Sequence, residues 1–191
     1  MKFFTPERYL QLGNLGDEQA FLTAQQQWEE ALTAYDKHLQ AIRKELPRSL
    51  RSLVESVYLH DARVLTMHQI DQEFFITLQP PSDPDRLVVI GYSLVEEPRV
   101  EQAVLPAERR REPIEWLYDE LTLDRPEGPR GLPAPPGKPT LRHNILLSNG
   151  WEVKLRFRSV WVKRPIRVVP VLADLHKAKR PLNQPRRARH E

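Results

Sequence analysis

The chain has 191 residues, 40% hydrophobic and 29% charged, and contains no cysteine, which excludes a disulfide framework, thiolate zinc sites and cysteine catalysis. Its formal net charge of +3 conceals two opposed parts: residues 151–191 carry 12 Lys and Arg against 3 acidic residues, and residues 1–150 carry 17 against 23. The body is therefore mildly acidic and the end basic, while 18 prolines, about twice the usual share, imply that much of the chain is loop.

The length suits one α+β domain over residues 1–170, helical to residue 57 and β-rich from residue 58, followed by a basic tail at 171–191. No window reaches the roughly 18 apolar residues of a membrane span. Pro6, Glu7 and Arg8 interrupt the start before a signal peptide could form. A cytoplasmic chain is the expectation.

Thr5-Pro6-Glu7 reads as an N-cap followed by proline at the first helical position, and Gly13-Asn14 would stop the short helix that begins there. From Asp17 the apolar residues Phe21, Trp28, Leu32, Tyr35, Leu39, Ile42 and Leu46 form a stripe of period near 3.5, which predicts one long amphipathic helix over residues 17–46. The stripe could be a coiled-coil seam, but it falls short of four clean heptads and is expected to pack on the chain's own sheet. Pro47 ends it. Leu50, Leu53, Val54 and Val57 then suggest one more short helix.

From Leu59 the period changes to two. A strand ending near Met67 and another through Phe74, Ile76 and Leu78 flank Asp71-Gln72 as a hairpin. A third strand at 86–94 sets Val88, Ile90, Tyr92 and Leu94 on one side. Residues 108–112, with three consecutive arginines, read as a solvated charge run. Residues 116–123 alternate again, with Leu117, Leu121 and Leu123 facing inward and Asp119 among them. Residues 125–140 hold six prolines and three glycines and read as a flexible loop. Residues 141–157 form the best-defined hairpin. A two-residue Asn149-Gly150 turn would face polar residues against apolar ones. A three-residue Ser148-Asn149-Gly150 loop with Gly150 left-handed pairs Leu147 with Trp151, Ile145 with Val153, His143 with Leu155 and Leu141 with Phe157. That register sends Glu152, Lys154, Arg156 and Arg158 to water and His143 to the core. Together these elements predict N-terminal helices packed on an antiparallel sheet of six or seven strands.

His60, Asp61, Asp119, Glu120 and His143 are the residues that could carry chemistry, as metal ligands or as acid and base. Strand alternation sends His60 and Asp61, and likewise Asp119 and Glu120, to opposite faces, so one of each pair at most could join a shared cluster. The structural alternative is that Asp61 and Asp119 accept hydrogen bonds from strand-end amides or from Arg63. No Gly-x-Ser-x-Gly elbow, phosphate loop or metal-ligand spacing accompanies them, and no cofactor is expected. In the tail, Lys177, Lys179, Arg180, Arg186, Arg187 and Arg189 could contact nucleic acid through counterion release, although such tails also solubilise.

The long N-terminal helix, Leu46-Pro47, Leu59-His60-Asp61-Ala62, Leu117-Tyr118-Asp119-Glu120, and residues 143–150 followed by Glu152-Val153 together resemble a bacterial family known only as a domain of unknown function. Met1-Lys2-Phe3-Phe4-Thr5 fits the same pattern. The resemblance covers residues 1–162 and implies a small α+β fold, with a looser similarity to immunity proteins that neutralise toxins; it implies no catalytic residue. The expected function is non-enzymatic binding of a basic protein partner, which an acidic body would attract. The alternatives are a metal-dependent hydrolase using the core-side Asp and His residues, and nucleic-acid binding through the tail. Binding and hydrolysis are separated by whether His143, Asp119 and either His60 or Asp61 converge in a concave pocket.

Overall fold

Residues 1–13, 16–56, 58–102, 104–124 and 140–167 are described by the structure, a computed structural model. Thr5 caps helix α1 (Pro6–Gln11): its hydroxyl accepts the Arg8 amide at 3.4 Å, and Pro6 occupies the position where no backbone donor is needed. Asp17, extended at φ −135°, caps α2 (Glu18–Ile42) by accepting the Ala20 amide. With 25 residues α2 runs about 37 Å, a turn less than the apolar stripe implied. Leu46 is reached through a tight turn in which the Glu45 and Leu46 amides both donate to the Ile42 carbonyl. The stripe packs on the chain's own core: Trp28, Ile42 and Leu46 are buried, with Ala24 and Ala31 beside them, but Leu32 is left 46% exposed. In α3 (Arg48–Ser56), Leu50 and Leu53 are buried and Val54 is 38% exposed.

Among the described residues seven antiparallel strands follow: β1 (Ala62–Ile70), β2 (Glu73–Gln79), β3 (Arg86–Leu94), β4 (Arg99–Glu101), β5 (Glu115–Asp124), β6 (Thr140–Leu147) and β7 (Glu152–Arg167). Their order is β3-β2-β1-β5-β6-β7-β4, and β3 also pairs with β7, so six strands close into a ring with β4 outside it. Strand β7 makes the closure possible through its 16-residue length: its first half pairs with β6 and β4, its second with β3. The seam between β1 and β5 is the weak one, held by two residue pairs, Ala62 with Trp116 and Arg63 with Glu115.

Inside the ring Ile76, Leu78, Ile90, Leu121, Leu147, Val153, Leu155 and Phe157 are fully buried. Leu50 and Leu53 of α3, with Ile42, Leu46 and Leu59, close one end of this core. The predicted inward row of β3 is as expected, Val88, Ile90, Tyr92 and Leu94 all being buried. The β6–β7 hairpin has the three-residue-loop register: Leu141 faces Phe157, His143 faces Leu155 and Ile145 faces Val153, with Leu147 and Trp151 closing the loop through the Leu147 amide and Trp151 carbonyl. Gly150 has φ +82°. A Cβ there would also lie 3.0 Å from Arg110 Nε and 3.3 Å from the buried Leu105 Cβ, so Gly150→Ala is expected to cost about 1–2 kcal/mol in chemical denaturation.

Several expectations are corrected. Glu152, assigned to water, is 4% exposed, because its Oε1 takes the Met1 ammonium at 2.9 Å. Leu117 does not face inward with Leu121: a bulge between Trp116 and Tyr118 sets both Trp116 and Leu117 opposite Leu147, so Trp116 turns into the ring core while Leu117 joins Leu105 and Leu146 outside it. The first strand begins at Ala62 and extends to Ile70, past Met67. The charge run is more than solvated: Arg109 donates to the Gly13 carbonyl and Arg110 to the Leu105 carbonyl. Thr140 already belongs to β6. The rest of the proline-rich loop, and the tail with Lys177, Lys179, Arg180, Arg186, Arg187 and Arg189, lie outside the described residues.

Candidate binding site

Where β1 parts from β5, the edge of β5 loses its strand partner, and an unpaired sheet edge must find other hydrogen bonds. Side chains supply them. The hydroxyl of Tyr35 accepts the Leu121 amide at 2.8 Å, and His38 Nε2 donates to the Leu121 carbonyl at 3.0 Å. Four residues earlier, His60 Nδ1 donates to the Leu117 carbonyl. Helix α2 and the turn before β1 thus stand in for the missing strand, and Asp119 lies midway between these contacts.

Asp119 gathers a chain of polar groups that runs into the core. Its Oδ1 accepts the Trp116 indole N–H and its Oδ2 is joined to His143 Nε2, each at 2.9 Å, while His143 Nδ1 is joined to the Tyr92 hydroxyl at 2.9 Å. A carboxylate only accepts, so His143 Nε2 donates to it, and in the neutral ring Nδ1 then accepts from Tyr92. Every member of the chain is then satisfied. His143 and Tyr92 are wholly buried and Trp116 is 1% exposed, whereas the Asp119 side chain keeps 27% of its surface. The carboxylate is the one member that a ligand can reach.

It opens into a cleft of about 400 Å³ between β5, α2, α3 and the turn at residues 58–60, within the size range of ligand pockets. Aromatic rings make much of its wall: Phe4 meets Tyr35 edge-on at 5.1 Å and Tyr118 at 5.7 Å, Tyr118 lies 4.8 Å from His60, and Tyr58 lies 6.0 Å from His60. Leu32, Val54 and Tyr58 stand at its rim 46%, 38% and 65% exposed.

His60, Asp119 and His143 therefore line one cleft. Asp61 is set apart from it. His60 and Asp61 do not point to opposite faces as alternation required, since both precede β1 in a turn where Asp61 has φ 61°, and His60 Nε2 lies 3.6 Å from Asp61 Oδ2. Asp61 pairs at 3.8 Å with Arg111, taking the place expected for Arg63, and Asp119 is held by an indole and an imidazole where strand-end amides were expected. Glu120 does turn away from Asp119. It is 1% exposed and accepts the amides of Lys2, Phe3 and Phe4 at 2.6, 2.5 and 2.6 Å, fixing Phe4 as a wall of the cleft. Among the described residues no group of three His, Asp or Glu side chains is placed to hold a metal ion, and no helix is long and apolar enough to cross a membrane.

Tyr92, Trp116, Tyr35 and Tyr118 were not among the candidate site residues read from the sequence, although Tyr35 and Tyr92 were placed in apolar rows. One signal was available for Tyr92: a hydroxyl in an otherwise aliphatic inward row needs a partner, and His143 was the polar residue in the core row of the neighbouring hairpin.

Burial, and next the Asp119 carboxylate, push Tyr35 and Tyr92 well above the ordinary tyrosine range. Burial, reinforced by Tyr9 and Asp61, pushes Tyr118 to about 12. A phenol whose folded pKa is raised contributes stability that is complete below its unfolded pKa and is lost as pH rises through the folded value. Urea midpoints are therefore expected to fall from pH ~10 upward, and absorbance at 295 nm should show three of the five tyrosines titrating late. Ionisation of all five near pH 10 in the folded protein would contradict this burial.

Set beside known proteins, the chain matches no family model and no curated protein.

Proposed function

We propose that this protein is a non-enzymatic binding module whose cleft over β5 docks a basic protein partner. The observation that carries the reading is the placement of the Asp119 carboxylate on the floor of an aromatic and aliphatic cleft whose rim residues Leu32, Val54 and Tyr58 are exposed. Apolar side chains at a rim supply contact area, and complementary charge selects the partner and speeds its approach. The acidic body at residues 1–150 adds long-range attraction of the same sign. A basic toxin of the kind that immunity proteins neutralise is one such partner.

A second reading, hydrolysis by Asp119 with His143, draws on the convergence of His60, Asp119 and His143 at one cleft. The geometry favours it less. Both ring nitrogens of His143 are engaged behind the carboxylate, so of that pair only Asp119 faces a ligand.

The two readings are tested together by affinity capture from the native host at low and high salt, beside a hydrolase screen with and without divalent metal. The expected result is a protein retained by the wild type, released as salt rises, lost from Leu32→Asp and Val54→Asp, and retained by Leu65→Asp on β1, with no hydrolysis in the screen. Equal retention by all three variants would refute the cleft as the docking surface. Hydrolysis lost in Asp119→Asn would establish the enzyme.

A further inference from the structure

We infer that the group received on the floor of the cleft is the guanidinium of an arginine side chain of the partner. This rests on the binding reading above and names the chemistry of its central contact. Asp119 Oδ1 accepts from the Trp116 indole and Oδ2 is joined to His143, so the carboxylate plane is fixed; each oxygen can accept a second hydrogen bond, and the side chain keeps 27% of its surface at the cleft. Two parallel acceptors on a fixed plane match the forked donors of a guanidinium, which an ammonium engages only as a point charge.

The surroundings point the same way. No Lys or Arg among the described residues is paired with Asp119, although the other partly exposed aspartate of this region, Asp61, already has Arg111. The walls offer the rings of Tyr58, Tyr118 and Tyr35, with the buried Phe4 packed behind them, surfaces on which a weakly hydrated planar cation stacks and along which its methylene stem can lie. A neutral ligand would leave the hydrogen-bonded carboxylate without a counter-charge; an anion would be repelled by it.

The test uses the full chain labelled with ¹⁵N and three probes, Nα-acetyl-arginine amide, its neutral isostere Nα-acetyl-citrulline amide and butylammonium, followed at the Trp116 indole N–H, which reports directly on Asp119 Oδ1. The resonance is assigned with Trp116→Phe. The arginine probe is expected to shift it saturably, with half-saturation on the order of millimolar for one such contact, and the citrulline probe to leave it in place. Asp119→Asn should abolish the response. Because the citrulline comparison is made on unaltered protein, the outcome does not depend on how well that variant folds. An equal response to citrulline, a stronger response to butylammonium, or no saturable shift with any probe would overturn the assignment. If the arginine probe fails while Leu32→Asp still loses the captured partner, the guanidinium assignment falls and the docking surface stands. If both fail, the binding reading falls with it.

Discussion

Replacing Glu120 by alanine is expected to lower stability by about 3 kcal/mol and the melting temperature by roughly 6–12 °C. The carboxylate is 1% exposed and holds three successive backbone amides, those of Lys2, Phe3 and Phe4, so its loss strands three donors at once. The effect should spread beyond the hydrogen bonds. Phe3 and Phe4 pack against Trp28, Tyr35 and Tyr118, and releasing residues 1–4 uncovers that cluster to water. Glu120→Gln keeps one acceptor oxygen but turns an amide NH₂ toward a backbone N–H, so an intermediate loss is expected. Thermal denaturation followed by tryptophan fluorescence measures both. Alanine and wild type melting together would mean that Glu120 does not hold the N-terminal segment.

His143→Ala is expected to cost about 3–4 kcal/mol. The imidazole is wholly buried and bridges Asp119 to Tyr92, so its removal leaves a cavity, a tyrosine hydroxyl without an acceptor and a carboxylate short of a donor. Tyr92→Phe removes the hydroxyl alone and is expected to cost about 1–2 kcal/mol. Because the two residues share one hydrogen bond, the double variant should be less destabilised than the sum of the singles by at least 0.5 kcal/mol. Urea denaturation of the four proteins gives the coupling directly. Strict additivity would break the chain between Tyr92 and His143.

What was legible in the sequence was local. The loop at Ser148-Asn149-Gly150 could be read because one register alone keeps His143, Ile145 and Leu147 on the face of Val153 and Leu155, and a one-residue slip would send the whole row to water. Thr5 and Asp17 announced two helix starts through cap chemistry. Ring closure was not legible, since it depends on β3 finding the far half of β7 across more than 60 residues, and alternation says nothing about which edges meet. The bulge at Trp116-Leu117-Tyr118 was hidden because all three residues are apolar enough to face inward. His60 and Asp61 were assigned opposite faces by a rule for strands, and the turn with Asp61 at φ 61° removed them from its reach. The role of Glu120 was invisible for another reason: the donors it satisfies are backbone amides 116 to 118 residues away, and backbone amides carry no sequence signature.

Photo-crosslinking from Leu32 tests the central claim most directly. A photoreactive residue at position 32, on the rim of the cleft, is compared in host lysate with one at Ile70, at the end of β1, where the native side chain is 57% exposed and thus more accessible than the 46% of Leu32. The docking account predicts a discrete adduct from position 32 that is suppressed by raised salt and absent in an Asp119→Asn background that still melts cooperatively, with no matching adduct from position 70. Adducts that follow exposure, stronger from position 70 and indifferent to salt and to Asp119, would contradict it.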